Sequence, residues 1–226
     1  MNVDATLNLA RAAKKSKVLK FIFISSVKVN GEETYDLPFT SSDRAAPQDF
    51  YGISKAEAEK ELLELHEPGI FEVVIIRPPL VYGPGVKANF EKLYHFAKIG
   101  IPLPFGLVKN KRSLVSVFNL VDLIVVTLTH PKAAGEIFMV SDDHDLSLRE
   151  LIELMAKTQG KRAHLINVPV KLMKMAARVV GKKSYADRLF GNLQVDIGKT
   201  KQLLGWKPPF TFEETFMRSL ITSKKF

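Results

Sequence analysis

Apolar residues recur at helical spacing over 3–15, where Val3, Leu7, Leu9, Ala10 and Ala13 predict a helix. The pattern then changes. Residues 19–25, Leu-Lys-Phe-Ile-Phe-Ile-Ser, form a nearly continuous apolar run rich in aromatic and β-branched side chains. Such a run predicts a strand buried on both faces, as in a parallel sheet. A loop with Asn30-Gly31, Pro38 and Pro47 follows. Residues 51–66, rich in Ala, Glu, Lys and Leu, predict a second helix, which Pro68-Gly69 ends. Residues 71–77, Phe-Glu-Val-Val-Ile-Ile-Arg, predict a second buried strand, and Pro78-Pro79 and Gly83-Pro84-Gly85 break the chain after it.

The second half is more mixed. Helices are expected from Asn89 to Lys98, from a cap at Asn119 to about Thr129, from Val170 to Val180, and from near Asp196 to Gly205. Strands are expected at 113–117, 136–140 and 164–168. Ser147-Leu-Arg-Glu150 and Thr211-Phe-Glu-Glu214 are capping boxes that open two more helices. The alternation of helix and strand predicts an α/β architecture with a doubly wound parallel sheet.

Composition narrows the class. With 226 residues, 46% hydrophobic and 25% charged, the chain can bury a sizeable core as an ordinary globular protein. The absence of cysteine removes disulfides, thiolate nucleophiles and zinc–cysteine sites, and fits a reducing cytoplasm. No apolar run is long enough to span a bilayer, and the first residues lack a basic region followed by an apolar one. A cytoplasmic location is expected.

The net charge of +9 suits a nucleic acid, an anionic membrane or a polyanionic small ligand. Lys14-Lys15, Lys182-Lys183 and Lys224-Lys225 read as solvated faces or helix ends, without the interleaved aromatics of a nucleic-acid site. Nucleic-acid binding is therefore not expected. In the helix over 169–183, Lys171, Lys174 and Arg178 oppose Leu172, Met173, Ala176 and Val180. Such a helix either lies at an anionic interface or packs its apolar face on its own lobe, and packing is the expected outcome. The five histidines lack metal-ligand spacing, and Asp142-Asp143-His144-Asp145 reads as a polar loop, so no metal is expected.

The sharpest candidate chemistry is Tyr51-Gly-Ile-Ser-Lys55 at a helix start. Residues at i and i+4 share a helical face. A phenol titrates near pH 10, too high for a base near neutrality, and a neighbouring ammonium favours the phenolate. A tyrosine so placed becomes a general acid/base. Ser25 and Ser26 close the first predicted strand, at the carboxyl end where open α/β sheets bind ligands.

Six segments in order make this chain similar to an extended short-chain dehydrogenase/reductase of the NAD-dependent epimerase/dehydratase family. They are Asn2-Val-Asp-Ala-Thr-Leu-Asn-Leu-Ala-Arg-Ala-Ala13, Phe23-Ile-Ser-Ser-Val-Lys-Val-Asn-Gly31, Pro47-Gln-Asp-Phe-Tyr-Gly-Ile-Ser-Lys55, Arg77-Pro-Pro-Leu-Val-Tyr-Gly-Pro-Gly85, Arg112-Ser-Leu-Val-Ser-Val-Phe-Asn-Leu-Val-Asp122 and Leu204-Gly-Trp-Lys-Pro208. The resemblance implies the C-terminal part of a doubly wound, Rossmann-like fold with a smaller mixed α/β substrate lobe. Residues 1–85 would be the partial catalytic domain and 86–226 mainly the lobe, with segments near 113–140 returning to the sheet. It implies Ser26, Tyr51 and Lys55 as the catalytic triad. Ser25, Tyr51, Lys55, Pro78 and Leu80 would line the nicotinamide end of NAD or NADP. Ser26, Lys28, Asn89 and Arg112 would contact a UDP-sugar, Arg112 at its diphosphate. Arg188 would be either a second diphosphate arginine or a surface ion-pair residue, and Asp122 structural. A homodimer through helices 3–15 and 51–66 is also implied.

Two departures qualify the likeness. The family's 4,6-dehydratases place acidic residues after the catalytic hydroxyl, whereas Val27 and Lys28 follow Ser26. Dehydration is therefore disfavoured. No G-x-G-x-x-G or G-x-x-G-x-x-G turn occurs in the sequence. The first four strands and the adenine half of the cofactor site, about 80–100 residues, are expected to be missing. The NAD-dependent C4 epimerase of a UDP-sugar is the leading expectation. An NAD(P)H-dependent reductase of 4-keto-6-deoxy sugar nucleotides and a non-catalytic fragment are the alternatives.

Overall fold

The computed structural model describes residues 2–84, 93–94, 96 and 99–223. The first helix, α1 (Asn2–Lys15), leads into strand β1 (Lys20–Ile24). Helix α2 (Phe50–Glu64) then crosses over to β2 (Glu72–Arg77), which runs parallel to β1 in the register Lys20↔Glu72 to Ile24↔Ile76. Strand β5 (Ile137–Met139) pairs with the far side of β2, giving a parallel sheet of order β1-β2-β5. A second parallel pair joins β3 (Leu80–Tyr82) to β4 (Leu114–Ser116). Between β4 and β5 runs α3 (Val117–Thr129). The remaining helices are α4 (Leu148–Lys157), α5 (Val170–Val179), α6 (Lys183–Phe190), α7 (Gly198–Leu204) and α8 (Phe212–Ser223).

Alternation along β2 explains why its apolar run is continuous. Val73 and Ile75 pack under α1 and α2 with Leu7, Ala10, Ala58 and Leu62. Val74 and Ile76 face the other way, against Leu120, Leu123 and Phe138. Both faces are covered, so both sets of side chains are apolar. Strand β1 differs from expectation. Four of its five residues are only partly buried, because among the described residues it has a strand neighbour on one side only. Leu19, just before it, is exposed.

Three local expectations need correction. Ser116, not Asn119, caps α3: its side chain accepts the Asn119 backbone N–H at 3.0 Å. Asn119 instead staples α3 to the C-terminal segment, donating to the Phe210 carbonyl and accepting from its N–H. Residues 164–168 are not a strand. Leu165 meets Leu103 in a single bridge, and beyond it the Ile166 carbonyl accepts from Gly106 rather than from Phe105, so the ladder does not continue. Helix α7 begins at Gly198, later than Asp196. The helix expected at 89–98 lies largely outside the described residues. Both capping boxes form, with Ser147 on Glu150 and Thr211 on Glu214.

Helix α5 turns differently from its expected packing. Val170 and Met173 face the core of the lobe, while Leu172, Ala176 and Val180 are exposed. No residue of α5 is fully buried. Among the described residues, no helix is long and apolar enough to cross a membrane.

Candidate active site

Parallel register sets the carboxyl ends of β1 and β2 side by side. The chain leaves β1 as Ser25-Ser26 and leaves β2 as Arg77-Pro78. The Ser25 N–H donates to the Ile76 carbonyl at 2.8 Å, and the Val27 N–H donates to the Pro78 carbonyl at 3.0 Å. Ser25, Ser26 and Pro78 therefore form one ledge.

Helix α2 begins over that ledge because Asp49 caps it. The Asp49 carboxylate accepts the Gly52 N–H at 2.7 Å. Gly52 allows the close approach. A Cβ built there would lie 2.7 Å from the Lys28 carbonyl oxygen and 3.0 Å from Pro47. The tight contact seats the first turn of α2 against the turn Val27–Val29 that follows Ser26. Neither Asp49 nor Gly52 was singled out from sequence. An Asp directly before the first helical residue is a recognisable cap signal.

Tyr51 stands in the first turn of α2 with 46% of its surface exposed. Lys55, one turn on, points back toward β1. Its ammonium donates to the Ile24 carbonyl at 2.9 Å and lies 4.4 Å from the Phe23 ring centroid and 5.8 Å from that of Tyr51. Burial pushes the Lys55 pKa down, and nearby Glu59 opposes that shift.

The two serines are held differently. Ser26 is the turn cap: its Oγ accepts the Lys28 N–H at 3.2 Å. It is therefore the Ser26 hydroxyl, not that of Ser25, that serves the turn. Accepting that bond leaves its proton free to donate. Ser25 is buried, and its Oγ has no hydrogen-bond partner among the described residues. A buried orphan hydroxyl at this ledge suits a bound polar group. With Lys55 beside it and Leu80 half-exposed, the ledge fits the nicotinamide end of a dinucleotide. The chain has no Gly-rich turn to cradle the pyrophosphate.

Behind the ledge, a buried ion pair ties three elements together. Arg77 donates from Nε to both Glu59 oxygens at 3.0 and 3.1 Å, and from Nη2 to Oε2 at 2.5 Å. Its Nη1 donates to Asn30 Oδ1 at 3.0 Å. The network joins α2, the end of β2 and the loop after Ser26.

The expected ligand residues on the lobe side form a charge cluster of their own. Lys28 is not free: its ammonium donates to Glu32 at 2.9 Å and to Asp49 at 2.5 Å. Burial disfavours its charge, but those hydrogen bonds prevail and raise its pKa. The bond from Lys28, with that from the Gly52 N–H, holds the Asp49 carboxyl below its usual value. Arg188 lies 3.4 Å from Glu32 and 3.8 Å from Asp49, so here it is an ion-pair residue. Arg112 donates to the Arg188 and Gly191 carbonyls at 2.6 and 3.2 Å. A cavity of about 440 Å³ lies here, lined by Glu32, Gln48, Lys183 and Arg188 among others. Asn89 lies outside the described residues. Asp122 accepts the Trp206 indole N–H at 2.7 Å, a structural role.

The NAD dependent epimerase/dehydratase family matches residues 1–141. The chain belongs to that family. A UDP-glucose 4-epimerase of Vibrio cholerae is 52% identical over 221 residues, covering 97% of this chain and 67% of that protein. The structure of a UDP-glucuronic acid 4-epimerase from Bacillus cereus in complex with NAD superposes with a TM-score of 0.75 at 22% identity, covering 99% of this chain and 67% of that one. RMD from Pseudomonas aeruginosa, complexed with NADPH, superposes with a TM-score of 0.76 at 22% identity, covering all of this chain and 74% of that one. These two likenesses establish the fold: α/β, with the parallel sheet of a partial Rossmann architecture. The chain spans about two thirds of the length of the Vibrio cholerae relative. The family is enzymatic and depends on a nicotinamide dinucleotide.

Proposed function

We propose that this chain carries the acid/base and sugar-binding part of a UDP-sugar 4-epimerase. The observation that carries the reading is the convergence of Ser26, Tyr51, Lys55 and Pro78 at the carboxyl ends of β1 and β2. The 52% identity to a UDP-glucose 4-epimerase supports the substrate class.

Tyr51 accepts the proton of the sugar C4 hydroxyl and later returns it. The Ser26 hydroxyl donates to the same oxygen and steadies it during the transfer. Lys55 holds positive charge near the Tyr51 ring, which favours the phenolate. The nicotinamide, when bound, supplies a hydride acceptor and donor at C4. Arg112 and Arg188 face the diphosphate end of the substrate. Arg188 reaches it by exchanging Glu32 for phosphate oxygens, which its planar fork suits equally. Two chains pair through α1 and α2, where Leu9 and Ile53 are exposed.

The test is a chimera in which this chain replaces the matched two thirds of the Vibrio cholerae enzyme. It is expected to interconvert UDP-glucose and UDP-galactose without consuming added cofactor. Tyr51→Phe in the chimera should lower kcat by at least about 100-fold, the scale of a lost general acid/base. A folded, NAD-bound chimera with no activity would refute the proposal. NAD alone, titrated into this chain, should give no saturable binding in the micromolar range.

A further inference from the structure

Charge is not spread evenly along this chain. From Lys161 to Tyr185 the sequence holds seven lysines and arginines and no acidic residue, against a net charge of +9 for all 226 residues. The segment spans α5 and the start of α6. Lys174 is neutralised by Asp187 at 3.3 Å, a bridge that ties α5 to α6. Lys171, Arg178, Lys182 and Lys183 form no ion pair among the described residues.

The same segment exposes apolar surface in a regular pattern. Helix α5 carries two apolar stripes. One, through Val170, Met173 and Ala177, turns toward the lobe. The other runs through Leu172, Met175, Ala176 and Val179, spaced i, i+3, i+4 and i+7, and points to solvent. Met175 is 59% exposed and Val179 84% exposed, with Val180 and Tyr185 extending the patch. Lys171 and Arg178 flank this outer stripe on one side. A solvated helix needs no second apolar stripe. A helix whose only partner is its own lobe needs no acid-free basic border.

We infer that α5 docks this protein on an anionic lipid bilayer, with Leu172, Met175 and Val179 entering the headgroup–acyl boundary and Lys171, Arg178, Lys182 and Lys183 meeting the anionic headgroups. An interfacial helix lying in the membrane plane has this division of apolar and basic positions. The charge complementarity selects an acidic surface over a zwitterionic one. The apolar stripe selects a bilayer over a nucleic acid, because a phosphate backbone gives Met175 and Val179 nothing to enter. Docking would fix the orientation of the lobe, since α6 carries Arg188 beside the 440 Å³ cavity.

Flotation with sucrose-loaded gradients separates vesicle binding from self-association, because aggregates sink while vesicles rise. The protein is expected to float with vesicles of phosphatidylglycerol and phosphatidylcholine, and to stay at the bottom with phosphatidylcholine alone. Met175→Asp with Val179→Asp should abolish flotation. Lys171→Glu with Arg178→Glu should weaken binding about 25-fold or more, about five-fold per basic charge lost. Both pairs are solvent-exposed, so unchanged circular dichroism and melting are the control for folding. Failure of the wild-type protein to float with acidic vesicles overturns the inference. So does full flotation of the Met175/Val179 variant, which would leave charge alone responsible. Binding to duplex DNA without binding to vesicles would assign the basic face to nucleic acid. A loss of dimer in the Met175/Val179 variant with vesicle binding intact would assign the stripe to a second copy. Either result also overturns it.

Discussion

The buried pair behind the catalytic ledge gives a quantitative test of how the fold holds its site. The Glu59 and Arg77 side chains are 3% and 5% exposed. Arg77 spends three hydrogen bonds on Glu59 and one on Asn30. Glu59→Ala would leave the guanidinium buried with Asn30 as its remaining partner. Removing one member of a buried ion pair costs about 3–5 kcal/mol, because a charge is left without compensation. Domains of this size are stable by about 5–15 kcal/mol, so the variant should sit close to unfolding. Replacing both residues by methionine removes the charge and its need for a partner. What remains is the Asn30 carbonyl without its donor, about 1–3 kcal/mol. The double variant should therefore be more stable than Glu59→Ala alone. Urea unfolding followed by far-ultraviolet circular dichroism reads both, with the singles Glu59→Met and Arg77→Met completing the cycle. A cost below about 1 kcal/mol for Glu59→Ala would refute the reasoning. So would a double variant whose cost equals the sum of the two singles.

Two further outcomes follow from the ledge. Gly52→Ala should push the first turn of α2 off the Lys28 carbonyl, where the added Cβ has 2.7 Å, and lower the melting temperature and, in the chimera, UDP-sugar turnover together. A variant as stable and active as the parent would show that the contact is not needed. Asp49 has its pKa lowered by Lys28, so its ionisation stabilises the fold above the usual carboxylate range near pH 4 and that contribution is lost as pH falls below it. Asn at 49 keeps the helix cap but not the charge. Asp49→Asn should therefore narrow the fall in unfolding free energy between pH 5 and pH 3, by a few tenths to about 1 kcal/mol for so solvent-screened a pair. An unchanged pH dependence would remove Asp49–Lys28 from the acid-stability account.

Elements with strong periodicity were legible from sequence, and contacts between distant segments were not. The run Val73–Ile76 reads as a strand covered on both faces, and it is one. Tyr51 and Lys55 reveal themselves through helical spacing. Strand β3 escapes notice because its three residues lie between Pro79 and Gly83, too short for any period to show. Glu59, Arg77 and Asn30 are separated by 18 and 47 residues, and no local pattern links them. The ionic ties of Lys28 to Asp49, and of Arg188 to Glu32 and Asp49, are hidden for the same reason. Both arginine roles proposed for Arg188 remain compatible with its position, because the pair seen here is the one a diphosphate would displace. Helix α5 misled in another way. It has apolar residues on two sides, and periodicity alone does not say which stripe meets the lobe.

The claim that organises all of this is C4 chemistry at Tyr51, with the hydride held by the cofactor and returned to the same carbon. Deuterium at C4 of UDP-glucose tests it most directly in the chimera with the Vibrio cholerae enzyme. The UDP-galactose formed is expected to keep the deuterium at C4, with no net appearance of NADH. Product carrying hydrogen at C4, or NAD(P)H consumed in step with turnover, would contradict the epimerase assignment.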